Sequence, residues 1–234
     1  MLKFCYVFSS LMALCLLVNA TGHSAVNVNA SRVIFNQGAA QAAVDLINDG
    51  DYPVVVQAWV DDGDPRNTPD SAKAPFVVLP PVFRLNIGES KSLRILTHGS
   101  GLPADRESLF WLNLYQIPPE SRTEPAGEKL RLALRTQLKV MWRPKGVGPL
   151  DRKTVEKLAF YRQSGSIVAI NESSWNISLM DVRYSKYSSP GMVIPPFSRA
   201  VIMTAMSPEP SQNKINFSVI NDDGNTWDFT APVK

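Results

Sequence analysis

Leu130-Arg131-Leu132-Ala133-Leu134-Arg135-Thr136-Gln137-Leu138-Lys139-Val140-Met141-Trp142-Arg143-Pro144 decides how this chain is read. Leucines at 130, 132 and 134 alternate with Arg131, Ala133 and Arg135. That is the period of a β-strand, and it puts three large apolar side chains in a row on one face. A hydrophilic loop, residues 120–129, precedes the strand and a Pro/Gly stretch ends it. Such a row either lines the chain's own core or is lent to another protein that lacks a strand.

Working outward, the N-terminus reads as an export signal over residues 1–24, with cleavage within 20–25. Lys3 supplies the positive start, and Phe4 to Val18 is an apolar run too short to span a bilayer. Cys15 is not a lipidation site, because Leu14 stands where a small residue is needed. Both cysteines, Cys5 and Cys15, lie inside the signal, so the mature chain has no disulfide although it is exported. Removing Lys3 leaves 23 basic against 21 acidic residues, a net charge of +2. So small an imbalance argues against nucleic acid or an anionic membrane as the main partner, and nothing points to membrane insertion.

Strand patterns recur through the chain and helix patterns hardly at all. The expected strands of the first half are Val26–Phe35, Ala43–Ile47, Val54–Val60, Phe76–Leu79, Ser92–Leu96, Leu109–Ile117 and Leu130–Trp142. Turn residues separate them at Asn48-Asp49-Gly50, Asp61-Asp62-Gly63-Asp64-Pro65, Pro80-Pro81 and Asn86-Ile87-Gly88. Short strands at this spacing are the pattern of an immunoglobulin-like sandwich. In the first strand Val26, Val28 and Ala30 share one face and Val33 and Phe35 take the other. A bulge or a sheet switch near Ser31-Arg32 accounts for that change of phase.

Residues 144–149, Pro144-Lys145-Gly146-Val147-Gly148-Pro149, form the expected linker between an N-terminal domain over 25–143 and a C-terminal β-sandwich over 150–234. The second domain is expected to hold strands Val155–Phe160, Ile167–Asn171, Asn176–Val182, Val193–Pro195, Ala200–Met203 and Ile215–Asn221. A hairpin across Asp223-Gly224 then leads to Trp227–Phe229. The fold class is all-β.

Catalytic chemistry has little to work with. Once the signal is gone, His98 is the only histidine, or one of two if His23 is kept, and no cysteine nucleophile remains. No HExxH, Walker-type or dinucleotide-binding glycine motif occurs, and no set of imidazole or thiol ligands for a metal. Asp61, Asp62 and Asp64 read as a solvated turn, because no glutamate closes an EF-type loop. The chain is expected to be neither an enzyme nor a cofactor protein.

Five segments together carry a resemblance. They are Ser31-Arg32-Val33-Ile34-Phe35, Pro80-Pro81-Val82-Phe83-Arg84-Leu85, Arg106-Glu107-Ser108-Leu109-Phe110-Trp111-Leu112-Asn113, Leu138-Lys139-Val140-Met141-Trp142-Arg143-Pro144 and Ile220-Asn221-Asp222-Asp223-Gly224. In order and spacing the chain resembles the periplasmic pilus-assembly chaperones of the chaperone–usher pathway. The resemblance implies two immunoglobulin-like β-sandwiches in a boomerang arrangement. It also implies a function: binding, folding and capping pilin subunits by donor-strand complementation in the periplasm, and delivering them to an outer-membrane usher. A self-capping dimer is implied for the free chaperone.

Carried onto this sequence, the resemblance makes Leu130, Leu132 and Leu134 the donated row. Arg32 and Lys139 match the family's pair that grips the subunit's C-terminal carboxylate, which accepts charge-assisted hydrogen bonds. Fixing that end sets the register of strand pairing, where a slip of one residue would turn the leucines to the wrong face. Glu107, Arg143 and Asp222 match a salt-bridge network tying the two domains together. Only ten residues separate Pro119 from Leu130 and no mature cysteine pair is present, which resembles the short-loop branch. The alternative is a secreted immunoglobulin-like binding module, an adhesin or receptor ectodomain, which has no need to keep Arg32, Lys139 and the leucine row together.

Overall fold

Val26 to Phe35 is not one strand but two, in different sheets. The computed structural model describes residues 26–97, 101–119, 133–204 and 213–234. Within it β1 (Val26–Val28) pairs antiparallel with β3 (Ala42–Asn48), whereas β2 (Arg32–Asn36) runs parallel to β9 (Leu134–Arg143). The change of phase at Ser31-Arg32 is therefore a sheet switch. It carries one apolar segment past both layers of a sandwich, so that Val26 faces the core from one sheet and Val33 and Phe35 from the other.

The first sheet continues through β7 (Ser90–Thr97) to β5 (Phe76–Leu79), in the order β1-β3-β7-β5. The second adds β8 (Ser108–Ile117), β4 (Val54–Asp61) and β6 (Val82–Leu85), in the order β2-β9-β8-β4-β6. Strand alternation supplies the core between them, with Leu46, Val56, Leu93, Ile95, Leu112 and Leu114 almost wholly buried. Phe35 stacks on Trp142 at 5.6 Å, and Phe76 meets both rings edge-on. Each such side chain contributes about 1.5–3 kcal/mol by leaving water. β6 was not expected after Pro80-Pro81; as the sheet's edge it tolerates a proline at its entrance.

The second sandwich opens differently from expectation. Arg152–Val155 is a helical turn, α1, where a strand over Val155–Phe160 was expected. Asp151 is its N-cap and accepts a hydrogen bond from the Thr154 backbone N–H at 2.8 Å, which holds the turn. Strand geometry begins at β10 (Ala159–Gln163), which pairs with β11 (Ser166–Asn171) and, beyond it, β15 (Ser198–Met203). The facing sheet runs β13 (Tyr187–Pro190), β12 (Ile177–Tyr184), β16 (Lys214–Ile220), β17 (Thr226–Pro232), with β14 (Val193–Ile194) also on β12. Phe160, Ile167, Ile177, Val182 and Ile215 fill a core separate from that of the first sandwich. Among the described residues no helix is long and apolar enough to cross a membrane.

Candidate functional site

β9 changes character along its length, and the site follows from that change. Its even-numbered side chains face the core of the first sandwich: Leu138 is 3% exposed, and Val140 and Trp142 are buried with it. Toward the strand's start the core runs out, and Leu134, on the same face, is 44% exposed. Leu130 and Leu132 lie outside the described residues. The backbone changes too. β8 pairs with β9 from Leu134 to Trp142, but β2 joins the other side only from Lys139 onward, where it meets Arg32. Among the described strands, none pairs with that side of Leu134–Leu138. β9 thus starts as an open edge with an apolar face and ends as an inner strand.

Arg32 and Lys139 mark the point of change. They are register partners in the parallel β2–β9 ladder, and Lys139 is in turn opposite Trp111 on β8. The Lys139 ammonium lies over the Trp111 ring, 5.2 Å from its centroid, a placement favoured by the ring's quadrupole. Arg32 is 7% exposed and donates from Nη1 to the carbonyl of Ile220, in the second sandwich, at 2.9 Å. Its Nε is buried with no hydrogen-bond partner among the described residues. Burial pulls the Arg32 pKa below the usual arginine value, against the opposing pull of Asp222 and Glu107. Lys139 is also held below the ordinary lysine range, by burial first and then by the positive charge of Arg32. Neither cation has a carboxylate within ion-pair distance among the described residues.

Four residues on, the same face of β9 carries Arg143, whose surroundings are the reverse. Its guanidinium donates through Nε to Glu107 Oε1 at 2.8 Å. Through Nη1 and Nη2 it grips both oxygens of Asp222, at 2.6 and 2.8 Å. Glu107 also accepts from the backbone N–H of Asn176 at 2.9 Å, and Asp222 from that of Leu150 at 3.2 Å. These bonds join the first sandwich to the second, because Glu107 and Arg143 belong to one and Asp222 and Asn176 to the other. Burial raises the Glu107 pKa, with Arg143 and Asn176 pulling the other way. Burial lowers that of Arg143, but the bonds to Asp222 and Glu107 outweigh it and leave the group above its ordinary value.

Close packing ties the two groups together. Gly224, at the tip of the β16–β17 hairpin with φ +84°, approaches Ser31 so nearly that a Cβ would lie 2.7 Å from its Oγ. The hairpin that carries Asp222 is therefore pressed against the residue before Arg32.

Sequence reasoning missed several residues here. Trp111, under Lys139, stands in the sequence as part of an expected strand and of the Arg106–Asn113 segment, with no role of its own. Asp61 does not lie in the solvated turn expected from its neighbours: it ends β4, is 0% exposed and pairs with Arg135 at 3.0 Å. The correction has a physical reason: the turn folds back over the outer face of β8 instead of pointing into water, so its first carboxylate is covered. The Trp59-x-Asp61-x-Gly63 spacing, with an arginine among the leucines, was the available signal.

Comparison with known proteins bears on this arrangement. Residues 25–148 match the family model for the pili and flagellar-assembly chaperone PapD N-terminal domain, and residues 153–231 that for the pili assembly chaperone PapD C-terminal domain. The chaperone protein HifB of Haemophilus influenzae is 32% identical over 206 residues, covering 85% of this chain and 84% of its own. The chaperone protein MrkB of Klebsiella pneumoniae is 34% identical over 181 residues, 76% of this chain and 73% of its own. In a structure of the Salmonella enterica SafA pilin in complex with the SafB chaperone, the matching chain has a TM-score of 0.78 at 29% identity. The match spans 91% of this chain and 98% of that one. With both domain models met in chain order and relatives this similar over most of their length, the chain belongs to the pilus-assembly chaperones, a family of proteins that are not enzymes.

Proposed function

We propose that this chain is a periplasmic chaperone that binds, folds and caps pilin subunits and passes them to an outer-membrane usher. One observation carries the reading. Arg32 and Lys139, two cations without a carboxylate among the described residues, sit together where the free edge of β9 begins. A subunit's C-terminal carboxylate answers that demand, and the geometry then dictates direction. A chain that ends at Arg32 and Lys139 and leads back along the free edge toward Leu134 runs parallel to β9, in line with β2. It completes the ladder that β2 leaves unfinished, which removes an open edge from both partners.

The side chains follow from the backbone. In such a pairing Leu134, and by alternation Leu132 and Leu130, face the groove of the incomplete subunit as Leu138 and Val140 face the chaperone's own core. Burying each leucine contributes about 1.5–3 kcal/mol before ordering costs. Arg143, Glu107 and Asp222 do not touch the subunit; they hold the second sandwich so that the Ile220 carbonyl steadies Arg32. Without a subunit, a second copy covers the same row in a self-capped dimer. The short stretch before Leu130 fits the short-loop branch of the family.

The test is co-purification from periplasm with mass spectrometry of what is retained. The wild-type chain should bring down a pilin, and Arg32→Ala/Lys139→Ala should not, while remaining folded. Retention of the same pilin at wild-type level by the double variant would overturn the assignment.

A further inference from the structure

Between Leu134 and Leu138, β8 is the only described strand that pairs with β9. Arg135 supplies a second restraint on the strand's phase. Its side chain leaves the face opposite Leu134 and enters the buried side of the turn that follows β4. Nη2 donates to Asp61 Oδ2 at 3.0 Å, Nε to Asn113 Oδ1 at 2.8 Å, and Nη1 to the Pro65 carbonyl at 2.8 Å. The guanidinium also lies over the Trp59 ring at 5.0 Å. Asp61 accepts in addition from Trp59 Nε1 at 3.0 Å and from the Gly63 backbone N–H at 2.9 Å. One guanidinium therefore ties the start of β9 to β4, to β8 and to the turn between β4 and β5.

The same turn reaches the cationic pair. Gly63, at φ +92°, sits so close to Trp111 that a Cβ would lie 2.5 Å from the indole, and Trp111 carries the Lys139 ammonium. The turn thus bears on β9 at two places, Arg135 directly and Lys139 through Trp111.

We infer that the Asp61–Arg135 pair is a register clamp, a positioning device that locks the phase of the donated strand to the carboxylate anchor. The inference rests on the reading given under Proposed function. Its logic is that of alternation: a slip of one residue would bring Leu134 or Thr136, neither of them a cation, against Asp61 and turn Arg135 toward the subunit. A buried carboxylate forbids that exchange, because it would be left without its cation. Pairing with β8 alone carries no such penalty.

Three variants test it: Asp61→Asn/Arg135→Met, which removes both charges and leaves one donor, Trp59 Nε1 or the Gly63 N–H, without its acceptor; Arg135→Lys, which keeps one contact to Asp61; and Lys139→Ala as reference. The readouts are melting, amide hydrogen exchange of the free protein, and capture of the pilin that co-purifies with the wild type. The double variant should melt somewhat below the wild type, by the loss of one buried hydrogen bond, and still fold. Its Leu134–Leu138 amides should exchange about tenfold faster, and capture should slow about tenfold, the equivalent of one charge-assisted hydrogen bond. Arg135→Lys should restore part of both effects. Wild-type exchange and capture in the double variant, with capture lost in Lys139→Ala, would overturn the clamp and leave the proposed function standing. Normal capture by Lys139→Ala would overturn the proposed function, and the clamp would then stand or fall on exchange alone. If the double variant does not fold, Arg135→Lys decides: exchange raised only over Leu134–Leu138 supports the clamp, and unchanged or uniformly raised exchange refutes it.

Discussion

Arg143 and Lys139 lie four residues apart on one face of β9, and the protein treats their charges in opposite ways. Arg143 meets two carboxylates, one from each sandwich, and every charge in that group has a partner. Lys139 and its neighbour Arg32 meet an indole ring and one carbonyl, and no carboxylate among the described residues. Burying a cation costs free energy in both places, but among the described residues only Arg143 has carboxylates to offset it. The saturated group is a joint. On the proposed reading, the unsaturated one is a binding site whose missing anion arrives with the subunit.

The largest expected effect breaks the joint. Arg143→Met leaves Glu107 buried with only Asn176 as a partner, and should cost about 3–5 kcal/mol in urea unfolding. A variant as stable as the wild type would show that the network does not hold the sandwiches. Asp222→Asn is milder, because Arg143 keeps Glu107, and should cost about 1 kcal/mol. Solution scattering should detect loosening between the sandwiches; an unchanged profile with normal pilus assembly would remove Asp222 from the joint.

Lys139→Met should act in the opposite direction on the free protein. The folded-state pKa of Lys139 is depressed, by burial first and by Arg32 second, so its charged form subtracts from stability at neutral pH. That penalty fades as pH rises through the folded value and is gone above the unfolded value of about 10.4. The variant should therefore be slightly more stable than the wild type at neutral pH, and the gap should close across that alkaline window. Urea midpoints measured along the window check this, and a variant less stable at neutral pH contradicts it. The smallest expected effect is at Leu134, already 44% exposed. Leu134→Glu should change free stability by less than about 0.5 kcal/mol and still prevent complex formation. A large drop in melting temperature would place that leucine in the chain's own core.

Much of the first sandwich was legible because its strands obey a period of two and its turns use Gly, Pro, Asn and Asp. The change of phase at Ser31-Arg32 was legible too, but it fits a bulge as well as a sheet switch, and only the pairing of β1 with β3 and of β2 with β9 decides for the switch. β6 escaped because Pro80-Pro81 reads as a break, and a proline pair in sequence does not say that the strand after it lies at a sheet's edge. The turn α1 escaped because Val155, Leu158 and Phe160 are all buried, which suits a strand as well as a helix followed by a strand. The Asp151–Thr154 cap was the overlooked signal. At the site, the resemblance drew attention to Arg32, Lys139 and Arg143, but Asp61 and Arg135 are 74 positions apart and meet only through the sheet register. The Trp59-x-Asp61-x-Gly63 spacing marks one half of the pair, but nothing local joins it to Arg135. Leu130 and Leu132 rest on alternation with Leu134.

The proposed reading is that Arg32 and Lys139, which have no carboxylate among the described residues, await a chain-terminal one. It is tested most directly with a peptide copying the last strand of the pilin that co-purifies with the chaperone, made once as the free acid and once as the amide. Titrated against the wild-type protein, the acid should bind about a hundredfold more tightly or better, since the amide leaves a buried cation uncompensated. Against Arg32→Met/Lys139→Met the two peptides should bind alike, and weakly. Equal affinity of acid and amide for the wild type would contradict the account.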